Sequence, residues 1–296
     1  MPPRPRPPRR TPRSVVWRRR LVALGVLVAA FAIAWVAVAS VGGKEKPKPP
    51  PPRVAAPPKP FRIVFPEGFT RRQMAARVTA VARIAKRERG KRVRLKEKTY
   101  LADTVHPRRE PGFGPKAYPL EGFLFPATYD FTVRTTSPQL VAAQLKAFRA
   151  NWAKLDLRHA RSKNLTPYDV LTIASMIEKE TPAPEERQLV SAVIYNRLHA
   201  HMALGIDAAL RYGLNIPPTE SIHESQLADP TPYNLRLHAG LPPTPIGAPG
   251  LASLQAAAHP AKVNYLYFVA KPDKKHHFFT ASSAAFERYK AAHGYR

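Results

Sequence analysis

The sequence predicts an α+β protein: a helical domain with a small β-sheet, preceded by a single transmembrane helix. Three observations lead to this fold class. A long apolar run without any charge lies near the N-terminus. Several later segments repeat their apolar residues with α-helical spacing, and two short stretches have the composition of strands. The sequence contains no internal repeat.

The N-terminal apolar run has the features of a membrane anchor. Residues 1–20 contain eight arginines and no acidic residue, and residues 21–41 carry no charge. At about 1.5 Å per residue, this run spans roughly the 30 Å of a bilayer core. The arginines predict a cytoplasmic N-terminus in the cell (inner) membrane, with the rest of the chain extracytoplasmic. Small residues at Ala37 and Ala39 also fit a cleavable signal peptide, but the run is long for one, so we favour a retained single-pass anchor.

The segment after the anchor is predicted to be a spacer. Residues 44–60 contain eight prolines, a composition typical of stiff, extended chain. At about 3.1 Å per residue, residues 44–60 could hold a domain on the order of 50 Å from the membrane. The chain has no cysteine, so an exported domain must be held together by its core alone. About 235 residues beyond the linker suffice for such a core.

The formal net charge of +28 is unevenly distributed. Residues 1–60 carry +12 and residues 61–119 carry +11, whereas residues 120–296 carry only +5. The basic stretch 71–98 lacks interleaved aromatic residues that could stack on bases, so we expect no nucleic-acid partner. Beyond a transmembrane segment, anionic lipid headgroups or acidic polymers fit this charge better.

Beyond the linker, the chain alternates between strand and helix signals. Residues 61–65 alternate like a strand, and Thr70 is the predicted N-cap of a helix that ends near Arg89. The other predicted elements are a loop over 99–119, a buried strand or turn over 120–131, an amphipathic helix over 137–155 resting on Leu140, Val141, Leu145 and Phe148, a helix over 185–199, a strand over 263–270 and a helix over 282–292. Residues 203–250 hold few periodic elements, and such a long irregular stretch is usually functional.

One further helix carries the candidate catalytic group. Thr166 is its predicted N-cap and Asp169 its capping partner, and Pro182 stops it. Glu180 lies at the edge of the apolar stripe that contains Ile173 and Ile177. Partial burial and the negative end of the helix dipole both raise the pKa of such a carboxyl, which could then protonate a glycosidic oxygen. The alternative is a solvated Glu-Lys-Glu helix end, with Glu178 on the other flank.

Several motifs occur in an order that resembles a known family. They are LEGFLFP at 120–126, IASMIEKET at 173–181, AVIYNRL at 192–198, TPYN at 231–234, GLPP at 240–243, IGAPG at 246–250, AAAHPAK at 256–262 and YLYFVA at 265–270. From about Phe61 to the C-terminus, the chain resembles the YceG-like endolytic murein transglycosylase family. The resemblance implies that the second glutamate of the Glu-x-Glu-Thr motif, Glu180, is the catalytic acid.

The resemblance also implies an activity and partners. It implies cleavage of the MurNAc–GlcNAc β-1,4 bond of peptidoglycan to give 1,6-anhydroMurNAc ends, the termination of nascent glycan strands, and peptidoglycan synthases as partners. Many relatives carry a LysM-like subdomain between anchor and catalytic domain, and we expect it to be absent here. The expected division is a basic tail 1–20, a transmembrane helix 21–41, a linker 42–60, a basic strand-helix subdomain 61–119 and a catalytic domain 120–296.

Further residues are candidates for substrate binding. Asn196 is expected near the cleft, although a helix-capping role fits it equally well. Asp207 follows a loop in which Gly205 and Ala208 depart from the usual family residues. Tyr233 and Asn234 lie in a polar turn that could bind an N-acetyl group or a sugar hydroxyl, or could form an Asx-type turn. The resemblance adds Glu121 to this set of expected substrate-binding residues.

Two other function classes remain open at the level of sequence. In a hydrolytic muramidase, Asp207 or Glu178 would serve as the second carboxylate. In a non-catalytic wall-binding scaffold, no carboxyl would have a chemical role. The ten histidines do not form a zinc motif, so we expect no metal and no cofactor.

Overall fold

The computed structural model describes residues 13–41 and 60–295. The chain divides into two compact units, 1–58 and 59–296. The first contains one long helix, α1 (Arg13–Val41). Its segment Leu21–Ala39 has a mean hydropathy of 2.7 and is long and apolar enough to cross a membrane. Most of the predicted basic tail (1–12) and of the predicted linker (42–59) lies outside the described residues.

The second unit is rich in helices and contains two small antiparallel sheets, which confirms the predicted α+β class. In chain order its elements are β1 (Phe61–Val64), α2 (Arg71–Arg89), α3 (Glu97–Val105), β2 (Thr128–Phe131), α4 (Ser137–Trp152), α5 (Arg158–Ser162), α6 (Pro167–Glu180), a 3₁₀ turn (Pro184–Glu186), α7 (Arg187–His199), α8 (Asp207–Leu214), α9 (Glu224–Leu227), α10 (Leu251–Ala258), β3 (Tyr267–Ala270), β4 (His277–Thr280) and α11 (Ser283–Ala292).

The first sheet joins the basic segment to the rest of the domain. Strands β1 and β2 pair antiparallel, with Phe61 opposite Phe131, and their rings stack at 5.3 Å between centroids. Because β2 follows residue 119, the sheet links the predicted parts 61–119 and 120–296. The two predicted parts share this sheet, and the boundary between them at residue 119 stays a prediction. Helix α2 begins at the predicted cap: Thr70 and Gln73 form a complete capping box.

Part of the predicted loop 99–119 is helical, because α3 includes residues 99–105. Tyr100 is fully buried, and its hydroxyl group donates a hydrogen bond to Gln144 Oε1 in α4 at 2.7 Å. Contacts with distant residues thus stabilise α3. A nine-residue helix shows too few turns for its apolar period to stand out in the sequence.

The core of the domain is built around α6. Residues 170–177 of this helix are all buried, and α6 packs against α7 and α10. Helix α10 is rich in small residues, with Ala256, Ala257 and Ala258 buried against the core, so the two helix backbones can approach closely. The sequence predicted one apolar stripe on α6, whereas in the structure every side of the helix is buried over residues 170–177.

The C-terminal part forms the second sheet. Strand β3 pairs antiparallel with β4, with Tyr267 opposite Thr280. The predicted strand over 263–270 contains β3, while β4 was not predicted. Helix α11 begins after Ser282, whose hydroxyl accepts a hydrogen bond from the backbone N–H of Ala285. Residues 203–250 are mostly irregular, as predicted, but they also contain helices α8 and α9.

Candidate active site

Local chemistry at both ends of α6 places Glu180. At the start, the Thr166 hydroxyl accepts from the backbone N–H of Asp169, and the Asp169 carboxylate accepts from the Thr166 N–H at 2.7 Å. This capping box fixes the first turn. The helix ends at Glu180, with Thr181 as its C-cap and Pro182 beyond. Glu180 is therefore the last residue of the helix, where the dipole is negative.

Glu180 lies in a cleft with a volume of about 660 Å³. The cleft is formed by the start of α2, the end of α6, helix α8 and the loops around them. Its lining includes Thr70, Arg71, Arg72, Gln73, Glu121, Lys179, Glu180, Asp207, Ala208, Arg211, Tyr212, Asn215, Ile216, Pro217, Pro218, Tyr233 and Ile246. Four of the six residues predicted to form the site, Glu180, Asp207, Tyr233 and Glu121, therefore line one cavity.

The surroundings of Glu180 favour its neutral form. Burial is the largest influence and raises the pKa of the Glu180 carboxyl to about 7. The negative charge of Asp207 raises it further, while a hydrogen bond from the backbone N–H of Ala208 and the charge of Arg211 act in the opposite direction. The Ala208 N–H lies 3.4 Å from Glu180 Oε1, which is long for a hydrogen bond. A carboxyl in these surroundings can hold a proton near neutral pH.

Glu178 has a different environment on the other flank of α6. Its Oε2 accepts a hydrogen bond from the backbone N–H of Gly250 at 2.9 Å, and Gly250 is the N-cap of α10. Glu178 is absent from the lining of the cleft. The carboxyl of Glu67 lies on this same flank, and its pKa is raised by burial and by the charge of Glu178. On this flank, the end of α6 meets the loop that contains Glu67 and the N-cap of α10.

Glu121 is a second buried carboxyl in the cleft. Both of its oxygens accept from the backbone N–H of Arg71, at 3.1 and 3.3 Å, and the hydroxyl of Tyr212 donates to Oε2 at 3.0 Å. Burial raises the pKa of Glu121 to about 6, against the lowering effect of the Arg71 charge. Glu121 thus connects the first residue of α2 to helix α8 across the cleft.

Asp207 and Tyr233 line the cleft, but each already has a protein partner. Both oxygens of Asp207 accept from Arg236, at 2.8 Å from Nε and 3.0 Å from Nη2. The hydroxyl of Tyr233 lies 2.9 Å from Thr244 Oγ1, and its ring lies 5.2 Å from that of Tyr212. The ion pair holds the first residue of α8 beside Glu180.

The two predicted asparagines do not lie in the cleft. Asn234 is fully buried; its amide donates to the carbonyls of Leu227 and Asp229, and its Oδ1 accepts from the N–H of Arg236. That last bond is the Asx-type turn considered as the alternative. The Asn196 amide donates to two backbone carbonyls after α10, both at 2.9 Å. Both asparagines hold loops in place.

The cleft also contains residues that the sequence did not single out: Arg71, Arg72, Lys179, Arg211 and Tyr212. Arg71 and Tyr212 are 141 positions apart in the chain, so only folding reveals that both contact one carboxyl. Among the described residues, no three His, Asp or Glu side chains come together as metal ligands would.

Comparison with known proteins identifies the family. A sequence profile described as the YceG-like family matches residues 52–292. The chain belongs to this family. This YceG-like chain is 32% identical over 256 residues to the endolytic murein transglycosylase of Streptococcus pneumoniae (strain ATCC BAA-255 / R6), covering 78% of the chain and 44% of that relative. It is 35% identical over 155 residues to the endolytic murein transglycosylase of Bacillus subtilis (strain 168), covering 52% and 42%.

A solved structure has the same fold. The crystal structure of a YceG-like protein from Listeria monocytogenes superposes on this YceG-like chain with a TM-score of 0.65 at 29% identity, covering 78% of this chain and 76% of that one. The family resemblance predicted from the motifs is confirmed. The chain spans less than half the length of the curated relatives it matches.

Proposed function

We propose that this protein is a membrane-anchored endolytic lytic transglycosylase that cleaves peptidoglycan strands, with Glu180 as its acid and then its base. The observation that carries this proposal is the environment of Glu180, a carboxyl in the cleft whose pKa is raised to about 7. Family membership and the names of the relatives support the reaction and the substrate.

The proposed reaction needs one carboxyl group. Protonated Glu180 donates its proton to the bridge oxygen between MurNAc and GlcNAc, and the C1–O bond of MurNAc breaks. The resulting carboxylate then accepts the proton of the C6 hydroxyl of the same MurNAc, whose oxygen bonds to C1. The products are a free GlcNAc hydroxyl and a 1,6-anhydroMurNAc end. Glu180 ends protonated as it began, and no water is consumed.

Hydrolysis is the second candidate, because Asp207 lies in the same cleft as Glu180. Most glycosidases use two carboxylates, the second of which attacks C1 or activates a water molecule. Both oxygens of Asp207 are engaged by Arg236, and Glu178 bonds to Gly250 outside the cleft. Neither is a free carboxylate, so the single-carboxyl reaction fits the geometry better.

Mass spectrometry of the products separates these functions. The full-length protein in detergent, incubated with purified glycan strands, should produce chain ends that are lighter by one water than hydrolysed ends. Heavier, reducing ends would identify a muramidase. An incubation without protein measures background cleavage, and a matched Glu180→Gln sample measures cleavage that does not depend on Glu180. If the parent protein releases no more ends than the protein-free incubation, the protein is a non-catalytic scaffold.

We further propose that α1 is a retained anchor with its N-terminus in the cytoplasm. The basic residues before the span support this orientation, and its length of 19 residues is sufficient to cross a bilayer core. A reporter fused after Arg296 should be active only in its extracytoplasmic form. Recovery of a soluble protein beginning near Ser40 would identify a cleaved signal peptide instead.

The proposed arrangement extends to the other domains and to partners. Residues 42–60 would be a spacer, residues 61–119 a basic subdomain and residues 120–296 the catalytic domain. Peptidoglycan synthases would be partners, since they make the strands that this enzyme would terminate. Chemical crosslinking in intact cells should recover a synthase with the full chain; a chain recovered without any synthase would contradict the partnership.

A further inference from the structure

The outward face of α2 is basic. Around the helix, the exposed residues on the side opposite the core are Arg72, Gln73, Ala76, Arg77, Ala80, Arg83, Ile84 and Arg87. The opposite side contributes Met74, Ala75, Val78 and Ala85 to the core. The four arginines thus flank a stripe of two alanines and Ile84, whose surface is 43% exposed. We call these eight residues the α2 face.

The positive charge continues beyond the helix. Residues 71–98 contain twelve basic and two acidic residues, and Lys91, Arg92, Arg94, Lys96 and Lys98 are all exposed. The two acidic residues offset little of this charge. Glu88 pairs with Arg87 at 3.2 Å, and Glu97 accepts a hydrogen bond from the Thr79 hydroxyl at 2.5 Å. The segment therefore carries a large excess of positive charge, which favours a large anionic partner.

We propose that the α2 face docks on the surface of an anionic lipid bilayer. Basic residues near an anionic membrane contribute about 1 kcal/mol each to binding. Arginine guanidinium groups pair with phosphate oxygens in a bidentate manner. The apolar stripe between them can enter the headgroup region, as in interfacial helices. The α2 face has no aromatic residue, so it lacks the stacking groups that sugars or bases would use.

The proposed anchor makes this partner available at high local concentration. At about 3.1 Å per residue, residues 42–60 could reach at most about 60 Å. A spacer inclined to the bilayer would let the domain reach its surface, so docking would be an intramolecular step. Arg72 belongs to the α2 face and also lines the cleft. Docking would therefore hold one rim of the cleft at the membrane surface. This consequence for catalysis rests on the proposed activity, whereas the docking itself rests only on the proposed anchor.

The absence of cysteine permits a direct test on the full-length protein. A single cysteine is introduced by Ala80→Cys and carries a fluorophore, and the chain is placed in nanodiscs that contain brominated lipids as quenchers. Nanodiscs of phosphatidylcholine alone are compared with nanodiscs that also contain phosphatidylglycerol. A second labelled protein, with Ala284→Cys on exposed α11, reports quenching that does not involve the α2 face.

A matched pair of triple variants separates the effect of the α2 face on docking from the effect of the total charge of the protein. Arg77, Arg83 and Arg87 are changed to Gln in one variant, and the exposed residues Arg134, Arg161 and Arg288 in the other. Both lose three charges, and none of the six residues lines the cleft. The first variant should weaken docking by roughly 100-fold, the equivalent of about 1 kcal/mol per arginine. The second should dock like the parent protein.

We expect strong quenching at position 80 only with phosphatidylglycerol, and its loss at high salt. Equal quenching in phosphatidylcholine, no quenching at low salt, or an equal loss in both triple variants would overturn the proposal. A competition experiment at low salt adds an anionic wall polymer at the same charge concentration as the anionic lipid. Loss of quenching in this mixture would also overturn the proposal, because the polymer would then be the preferred partner. Glycan cleavage in detergent, measured on the same variants, should be unchanged, so a failure to dock is distinguishable from a failure of the catalytic proposal.

Discussion

The two flanks of the last turn of α6 contain the same side chain in two different environments. Glu178 and Glu180 are both of intermediate exposure. The Glu178 carboxylate has a 2.9 Å hydrogen bond from the N-cap of α10, where the helix dipole favours negative charge. Glu180 faces a cleft, and among the described residues its carboxyl accepts one hydrogen bond, from the Ala208 N–H at 3.4 Å. Exposure of the whole residue therefore does not decide the state of its carboxyl group. Burial raises the pKa of the Glu180 carboxyl, and the long Ala208 contact offsets this only in part.

The largest expected effect comes from exchanging each glutamate for glutamine. Glu180→Gln keeps the size of the side chain but cannot donate the proton, so the release of anhydro ends should fall at least ~100-fold, the scale of general acid catalysis. Glu178→Gln should reduce the rate far less, because that side chain lies outside the cleft. Initial rates of end formation, with circular dichroism as a check on folding, measure both.

A larger loss of activity in Glu178→Gln than in Glu180→Gln would show that the catalytic role has been assigned to the wrong glutamate. Near-normal rates in both folded variants would remove Glu180 from the mechanism.

A second prediction concerns the stability of the Glu180 flank. The pKa of Glu180 is about 7 in the folded protein, against an ordinary value of 4.5 in the unfolded chain. Below pH 4.5 both states are protonated, and the group has no effect on stability. Between pH 4.5 and 7 only the unfolded state ionises, so the free energy of unfolding falls by up to about 3 kcal/mol and then stays level.

Glu180→Gln should remove this pH-dependent loss. Thermal unfolding of both proteins from pH 4 to 8 should therefore give similar midpoints at the acidic end and a more stable variant at the alkaline end. Midpoints that differ by the same amount at every pH would contradict the raised pKa.

The Glu178 flank should instead be sensitive to added volume. A Cβ atom at Gly247 would lie 2.6 Å from the backbone oxygen of Gly68, in a junction where Gly68 N–H bonds to Ala248 O at 2.8 Å. Gly247→Ala should therefore lower the free energy of unfolding by about 1 to 3 kcal/mol. Chemical denaturation measures it. An unchanged midpoint would mean that the junction is not tightly packed.

The smallest expected effect is that of Asp207→Asn. The Asp207–Arg236 pair is nearly half exposed on both sides, so its loss should change stability by less than about 1 kcal/mol. Removing the Asp207 charge should lower the pKa of Glu180 and shift the alkaline limb of the rate profile to lower pH. A complete loss of turnover would instead favour a hydrolase with Asp207 as the second carboxylate.

Local chemistry explains what the sequence could predict. The capping box at Thr166, the proline after Thr181 and the apolar stripe were sufficient to place Glu180 at the end of a buried helix. The strand at 61–64 and the Thr70 cap could be predicted in the same way, because turn and cap signals act over a few residues. The family motifs then placed the remaining candidates along the chain.

Long-range contacts explain what the sequence could not predict. The bonds of Glu121 to Arg71 and Tyr212 join residues that are 50 and 91 positions away. The amides of Asn196 and Asn234 could equally have faced a sugar, and only the fold shows backbone carbonyls around them. Helix α10 is short, and it is buried because it packs closely on α6. Its run of small residues does not indicate this burial in the sequence.

Direct titration of the Glu180 carboxyl tests the central claim. Difference infrared spectroscopy on the full-length protein follows the protonated carboxyl band with pH, and spectra of Glu180→Gln and Glu178→Gln assign it. The account predicts a carboxyl that ionises at about 7, present in the parent protein and in Glu178→Gln but absent from Glu180→Gln. The Glu121 carboxyl, whose pKa is about 6, should still titrate in Glu180→Gln. Ionisation of Glu180 near its ordinary value of 4.5, or a titration at about 7 that is unchanged in Glu180→Gln, would contradict the account.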